Sequence, residues 1–439
     1  MFVVRGAWAE RFNSIPSVNR TLFKIKMLKT SLCVSIFLGG VFGSARGTGL
    51  QLTGKEAAQA TATDVAPSQV EEETGARLSQ KGPWGQLETF EVLLEAPADL
   101  LLASEPKSVR TRWFFAKMKG DAVGQLIRRI VGQEDLADRL CDRNRWLEDL
   151  EGVAVFPRTE DLILLKTDAR VALYKELANF QENFFHVEPE ILYGNSFEDW
   201  SKGSEISDKA REFLKAVSYK HGSMLQFSDM PALLGILSTE QERMAVLRAL
   251  SRTPSLVAKI IINSVTTDAL AGYWHKGFRL KDTSAFMASV KRHKEVDRMD
   301  LLHLLPAGIR KILYTFPDPT SSRSGYLPDC HWSALNFFNT QPLDRLADPV
   351  QATAYTLEKF TPIEPPYELG DVLFFTDTKT GDAYHSCAYI ADDVVFTKNG
   401  RSPLQPWVLM RLDSVKELYD MHFHTKISAY RRKDMTVGR

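Results

Sequence analysis

Between Leu369 and Lys398, apolar runs too short to be helices alternate with tight polar turns, which restricts this region to an antiparallel sheet. Leu369-Gly370-Asp371-Val372-Leu373-Phe374-Phe375 reads as a turn followed by a buried strand. His385 to Ile390 and Val394 to Lys398 flank Asp392-Asp393, so a hairpin is predicted around that polar pair. Ser414 to Asp420 reads as a short helix and Lys426 to Arg431 as a last strand. Upstream, Cys330 leads a run containing Trp332, Leu335, Phe337 and Phe338 with no Gly or Pro, which predicts a helix. Another helix is expected from Gln351 to Lys359. The C-terminal third is therefore α+β, helix first and sheet second.

Two residues in this frame carry chemistry. Cys330 stands at the start of its helix, where partial positive charge lowers a thiol pKa. His385 opens a strand, from which an imidazole can take the thiol proton and hold the resulting ion pair. That pairing is how a cysteine hydrolase builds its nucleophile, and it requires sulfur and imidazole to meet in a cleft open to solvent. Cys387 shares the face of His385; it is expected in the core, with a redox partnership to Cys330 as its other use. His331 is expected to point away from the nucleophile, in a surface or capping role. His422 and His424 suggest a metal pair by composition only, without a matching cysteine or carboxylate cluster.

The rest of the chain is α+β and rich in helix. Its 439 residues predict two or three domains. Lys plus Arg (55) equals Asp plus Glu (55), so no basic field exists to attract nucleic acid. Lys24, Lys26 and Lys29 precede an apolar stretch from Ser31 to Gly43 and a small-residue exit at Gly43-Ser44-Ala45. Residues 1–45 are thus expected to be a secretory signal, with Met27 a better start than Met1; an uncut short anchor is the alternative. Export without stable membrane insertion follows. Of four cysteines, Cys33 lies in that signal, leaving an odd number (Cys141, Cys330, Cys387) and hence a free thiol. Residues 46–83 read as a flexible linker and 84–312 as a helix-rich α+β domain. Within it, strands are expected at Glu88 to Glu95, Arg110 to Phe115, Gly152 to Phe156 and Asp161 to Leu165. Helices are expected along the Leu173–Leu177–Phe180–Phe184 stripe, at Asp208 to Tyr219, after a capping box at Ser238, at Ser255 to Asn263 and at Arg298 to Tyr314. The cluster Tyr273-Trp274-His275 is read as helix packing before ligand binding.

The C-terminal part, 313–433, resembles the NlpC/P60 cell-wall peptidases, a branch of the papain-like cysteine hydrolases. The family's Asp-Cys-Ser-Gly-Leu is matched by Asp329-Cys330-His331-Trp332-Ser333-Ala334-Leu335, and its Gly-Asp strand by Gly370 to Phe375. Its His-Val-Gly-Ile-Tyr-Ile strand is matched by His385 to Ile390, and its closing basic strand by Ile427 to Arg432. The Ser-Gly after the nucleophile is replaced by His331-Trp332, and the Tyr-x-Trp-Gly-Gly loop is missing. The resemblance implies that the Cys330 N–H and a tyrosine, Tyr314 or Tyr326, hold an oxyanion. It implies a third polar residue that orients the imidazole: Thr397 has the family spacing, while Asn399, two residues on and on the same face, is the chemically preferred choice. A peptidoglycan stem peptide is the implied substrate, with no metal or organic cofactor. Two other readings stand beside it: an inactive cell-envelope binding or scaffold module, and an acyltransferase or amidase on a lipid or small molecule.

Overall fold

The computed structural model describes residues 75–106, 110–262, 267–276, 280–293, 295–318, 327–420 and 424–435. The expected signal, most of the linker, Tyr326 and His422 lie outside them. The described chain is a mixed α+β protein with several antiparallel sheets. In order, the strands are β1 (Arg77–Leu78), β2 (Gln86–Leu94), β3 (Trp113–Ala116), β4 (Trp146–Glu148), β5 (Gly152–Val155), β6 (Glu190–Leu192), β7 (Tyr219–His221) and β8 (Met224–Phe227). There follow β9 (Thr253–Ile261), β10 (Arg298–Asp300), β11 (Phe360–Ile363), β12 (Val372–Asp377), β13 (Ala383–Ala391), β14 (Val394–Lys398), β15 (Trp407–Arg411) and β16 (Thr425–Arg432).

One sheet has the order β1-β2-β9-β10 and a larger one the order β11-β16-β12-β13-β14-β15; β3-β5-β4 and β6-β8-β7 form two small sheets. Residues 77 and 78, expected in the linker, instead pair with β2 (Arg77 opposite Thr89). The segment expected as a helix from Ser255 is β9, paired with β2 over nine positions. Its inward Leu256, Ala258 and Ile260 alternate with half-buried residues, a period of two that the run of apolar letters conceals. Asp161 to Leu165, expected as a strand, lies largely in the helix Thr159–Leu164, whose buried Asp161 accepts from the Arg158 N–H and pairs with Arg145. The helix expected from Arg298 to Tyr314 is divided into β10, a tight turn at Leu301–Leu304 and the helix Ala307–Ile312, because Pro306 interrupts it. The Leu173 stripe ends its helix at Leu177. The capping box sits one residue later than expected, Thr239 with Glu242.

The core does not divide at residue 312. One cluster joins Leu87, Leu256 and Ile260 of the first sheet to Trp332, Leu335, Phe337, Phe374 and Phe396 of the C-terminal part. Tyr273 and Trp274 tie the same cluster together, the Tyr273 hydroxyl donating to the Ile390 carbonyl and the Trp274 indole to the Trp84 carbonyl. A second core, from Ala96 to Leu250, belongs to the helix-rich body.

The Gly370-Asp371 pair has a physical reason. Gly370 has φ +82°, and a Cβ there would lie 2.0 Å from the Phe338 ring. Asp371 accepts two hydrogen bonds from Arg431, at 2.8 and 2.7 Å, and so staples the start of β12 to β16. Gly370→Ala is expected to destabilise the protein by about 2–4 kcal/mol, strain plus overpacking. Urea unfolding measures it, and an unchanged midpoint contradicts the assignment.

Candidate active site

The helix Cys330–Leu335 lies against one face of the large sheet, the face that carries Phe374, Ala388 and Phe396. Asp329 caps it, accepting from the Trp332 N–H at 2.9 Å, and is itself held by Arg401 at 3.0 Å inside the protein. On the opposite face lie Phe375, Cys387 and Val395, part of a separate cluster. His385 pairs with Phe375 in register and meets its ring edge-on. β13 and β14 pair from Ala391–Val394 to Ala388–Phe396, with a register shift between Tyr389 and Ala391.

The charges of two imidazoles, His331 and His385, bear on the Cys330 sulfur. His385 Nε2 lies 3.1 Å from the Thr397 hydroxyl. His385 Nδ1 is buried with no hydrogen-bond partner among the described residues. His331, expected at the surface, is buried: its Nδ1 is 2.9 Å from the Ser386 hydroxyl, and its ring stacks on Phe374. Its helix is short, six residues from the nucleophile onward, and Cys330 occupies the first position. The neighbouring side chain therefore turns back along the sheet rather than out to water.

Electrostatics favour a thiolate. Burial by itself raises the Cys330 thiol, but His331 and His385, by charge and by hydrogen bond, hold it well below the ordinary range. Burial likewise opposes charge on His331, yet the Cys330 sulfur outweighs it and the imidazole is raised. A six-residue helix sums few peptide dipoles, so the imidazoles rather than the helix end supply most of the stabilisation. Lys398 adds a further cationic group nearby: burial pushes its ammonium down to about 7, against the pull of Asp329 and Cys330, while Nζ donates to the Gly400 and Ser402 carbonyls. Cys387, a free thiol on the outer face, is pushed well up by burial and by Cys330.

Other expected participants lie elsewhere. The Asn399 amide donates to the Met410 sulfur at 3.3 Å and its Oδ1 has no partner, so Thr397 and not Asn399 is the residue on the imidazole. β14 ends at Lys398, so Thr397 is held in the strand beside His385 while Asn399 lies beyond its end. Tyr314 donates to the Leu256 carbonyl at 2.7 Å, engaged with β9 rather than with the sulfur. His424 contributes its backbone carbonyl to Thr378, and among the described residues no cluster of metal-ligating side chains occurs. Tyr419 was not singled out from sequence. Its ring stacks on His385, with centroids 4.4 Å apart, and its phenol is pushed well up by burial first and then by Cys330. The helix Leu412–Asp420 gave no hint of this, since a tyrosine beside Leu418 reads as packing.

Among the described residues no open cleft exposes the pair: Cys330 is 4% and His385 0% exposed. Ile191, Tyr193 and Met224, in and beside β6 and β8, pack on the outer-face cluster that contains Cys387 and Phe375. Tyr193 and Cys330 both act on the Tyr419 phenol. Replacing Ile191 and Tyr193 together by Ala removes half-buried apolar area worth about 1.4 kcal/mol or more, roughly tenfold in a local opening equilibrium. Cys330 alkylation in the folded protein, followed by mass spectrometry, is expected to accelerate by that factor, with Cys387, whose thiol is pushed well up by burial, reacting more slowly. Parallel labelling of both cysteines indicates general unfolding instead.

No family model, curated protein or solved structure matches this chain.

Proposed function

We propose that Cys330, His385 and Thr397 form a papain-like acyl-transfer centre that hydrolyses amide bonds, in an exported protein whose substrates are peptidoglycan stem peptides. The observation that carries this reading is the buried His385 imidazole, with Nε2 3.1 Å from the Thr397 hydroxyl and the ring's charge bearing on the Cys330 sulfur. The Cys330 thiolate attacks the amide carbonyl and forms an S–C bond. The His385 imidazolium protonates the departing amine. Water then gives a proton to the imidazole, forms the C–O bond and releases the thiolate. Thr397 fixes the ring so that Nδ1 faces sulfur. The Cys330 backbone N–H, at the first helical position, is the oxyanion donor on this reading. The cell-wall substrate comes from the motif resemblance alone.

Digestion of muropeptides with the full-length protein, analysed by mass spectrometry, is the test. New cleaved stem peptides that disappear with Cys330→Ser support the proposal; none, under conditions that also expose the thiol, removes the substrate class.

The closure of the site favours a second reading, a cell-envelope binding or scaffold protein that keeps the arrangement without turnover. On that reading Cys330 alkylation is slow near neutral pH and indifferent to His385→Ala.

A further inference from the structure

Cys330 sits in a larger polar constellation than one thiol and one imidazole. The Thr397 hydroxyl lies 3.1 Å from the His385 imidazole and the Ser386 hydroxyl 2.9 Å from the His331 imidazole, and both rings bear electrostatically on the Cys330 sulfur. His385 and Ser386 are consecutive on β13, so they point to opposite faces of the sheet. Each therefore organises one imidazole contact on its own face, and both rings are wholly buried. A buried imidazole carrying no chemistry costs desolvation, and an apolar side chain beside Phe374 and Trp332 would fill the same place at no such cost.

We propose that His331, oriented by Ser386, is a second acid–base residue at the Cys330 sulfur. The inference rests on the acyl-transfer reading above. It changes that mechanism in one respect. One thiol proton is held between two rings, so the thiolate form has one imidazolium and one neutral imidazole. After attack, the imidazolium gives its proton to the leaving amine as the C–N bond breaks. Two neutral imidazoles then face the thioester, and either takes a proton from the incoming water as the C–O bond forms and the C–S bond breaks. The ring that accepts it becomes the imidazolium partner of the regenerated thiolate, and the balance is amide plus water to acid plus amine. Ser386, a hydroxyl that both donates and accepts, follows His331 through either protonation state.

The test is thiolate formation against pH, read from its ultraviolet absorbance in the full chain with Cys330→Ser as blank. Absorbance needs no probe to enter the closed site. The groups that bear on the sulfur are Asp329 (held by Arg401), His331, His385 and Cys387 on β13, Lys398 on β14, and Tyr419. All except the substituted histidine are constant across the series. His331→Asn and His385→Ala are each expected to raise the midpoint by about 1–3 pH units, tenfold or more in the thiol–thiolate equilibrium constant, and the double variant to raise it further. Ser386→Ala gives a smaller rise.

A His331→Asn titration superimposable on wild type overturns the inference and leaves the His385 mechanism standing. A His385→Ala titration superimposable on wild type, with the whole shift in His331→Asn, overturns the His385 mechanism instead. Should His331→Asn fail to fold, the wild-type His331 ring is followed by nitrogen-15 NMR. Its titration is expected to move to lower pH in Cys330→Ser; no movement means the ring does not sense the sulfur.

Discussion

His385→Ala is expected to lower the rate of stem-peptide hydrolysis by roughly 10⁴- to 10⁶-fold, the usual cost of losing one member of a nucleophile–base unit. Cys330→Ser falls in the same range. The two losses do not add, because a thiol without its imidazole and an imidazole without its thiol are equally unable to start the reaction. Thr397→Ala costs far less, roughly fivefold to tenfold, since it removes one neutral hydrogen bond whose work is orientation. The comparison is made on kcat/KM with a defined muropeptide. Turnover within a factor of a few of wild type in His385→Ala is incompatible with the mechanism.

Arg401→Ala is expected to destabilise the protein by about 3–5 kcal/mol, without touching the reacting atoms. Arg401 and Asp329 are paired at 3.0 Å with side-chain exposures of 7% and 2%. Removing the guanidinium strands a carboxylate that cannot reach water. The Ala347 carbonyl loses its donor as well, and with it the tie from the 400–402 turn to the segment before the helix Pro349–Lys359. The Asp329 carboxylate also caps the nucleophile helix, so the damage is expected to reach Cys330. Removing both charges, as in Asp329→Asn with Arg401→Met, should cost less than Arg401→Ala alone plus the lost cap. Guanidinium unfolding of the three proteins decides this; a midpoint for Arg401→Ala equal to wild type is the contrary outcome.

Much of the C-terminal part was legible because its code is local. The short apolar runs at His385 to Ile390 and Val394 to Lys398, the Asp392-Asp393 turn between them and the helix behind Cys330 each depend on a few residues. Thr397 and Asn399 could not be separated from sequence, since alternation puts both on one face if the strand continues. The end of β14 at Lys398 decides between them. The β9 error had a similar origin. A run such as Ser255 to Asn263 suits either period, and β2, more than 150 residues away, imposes the strand. His331 was misplaced for a subtler reason: reading it as exposed assumes a regular helix in water, whereas this helix lies between two packed layers. One hydrophobic cluster takes residues from both sides of 312, which a change of composition at a loop does not report, because cores are continuous in space.

The strand carrying Ile191 and the outer-face cluster it covers are parts of a single polypeptide, and this fixes how the covering behaves. Dilution cannot release it, and concentrating the protein cannot strengthen it, because each molecule supplies its own blocking segment at a constant effective concentration. Only a molecule that prefers the exposed form, or a cut in the connecting backbone, can shift the balance, and the former by no more than its own binding free energy.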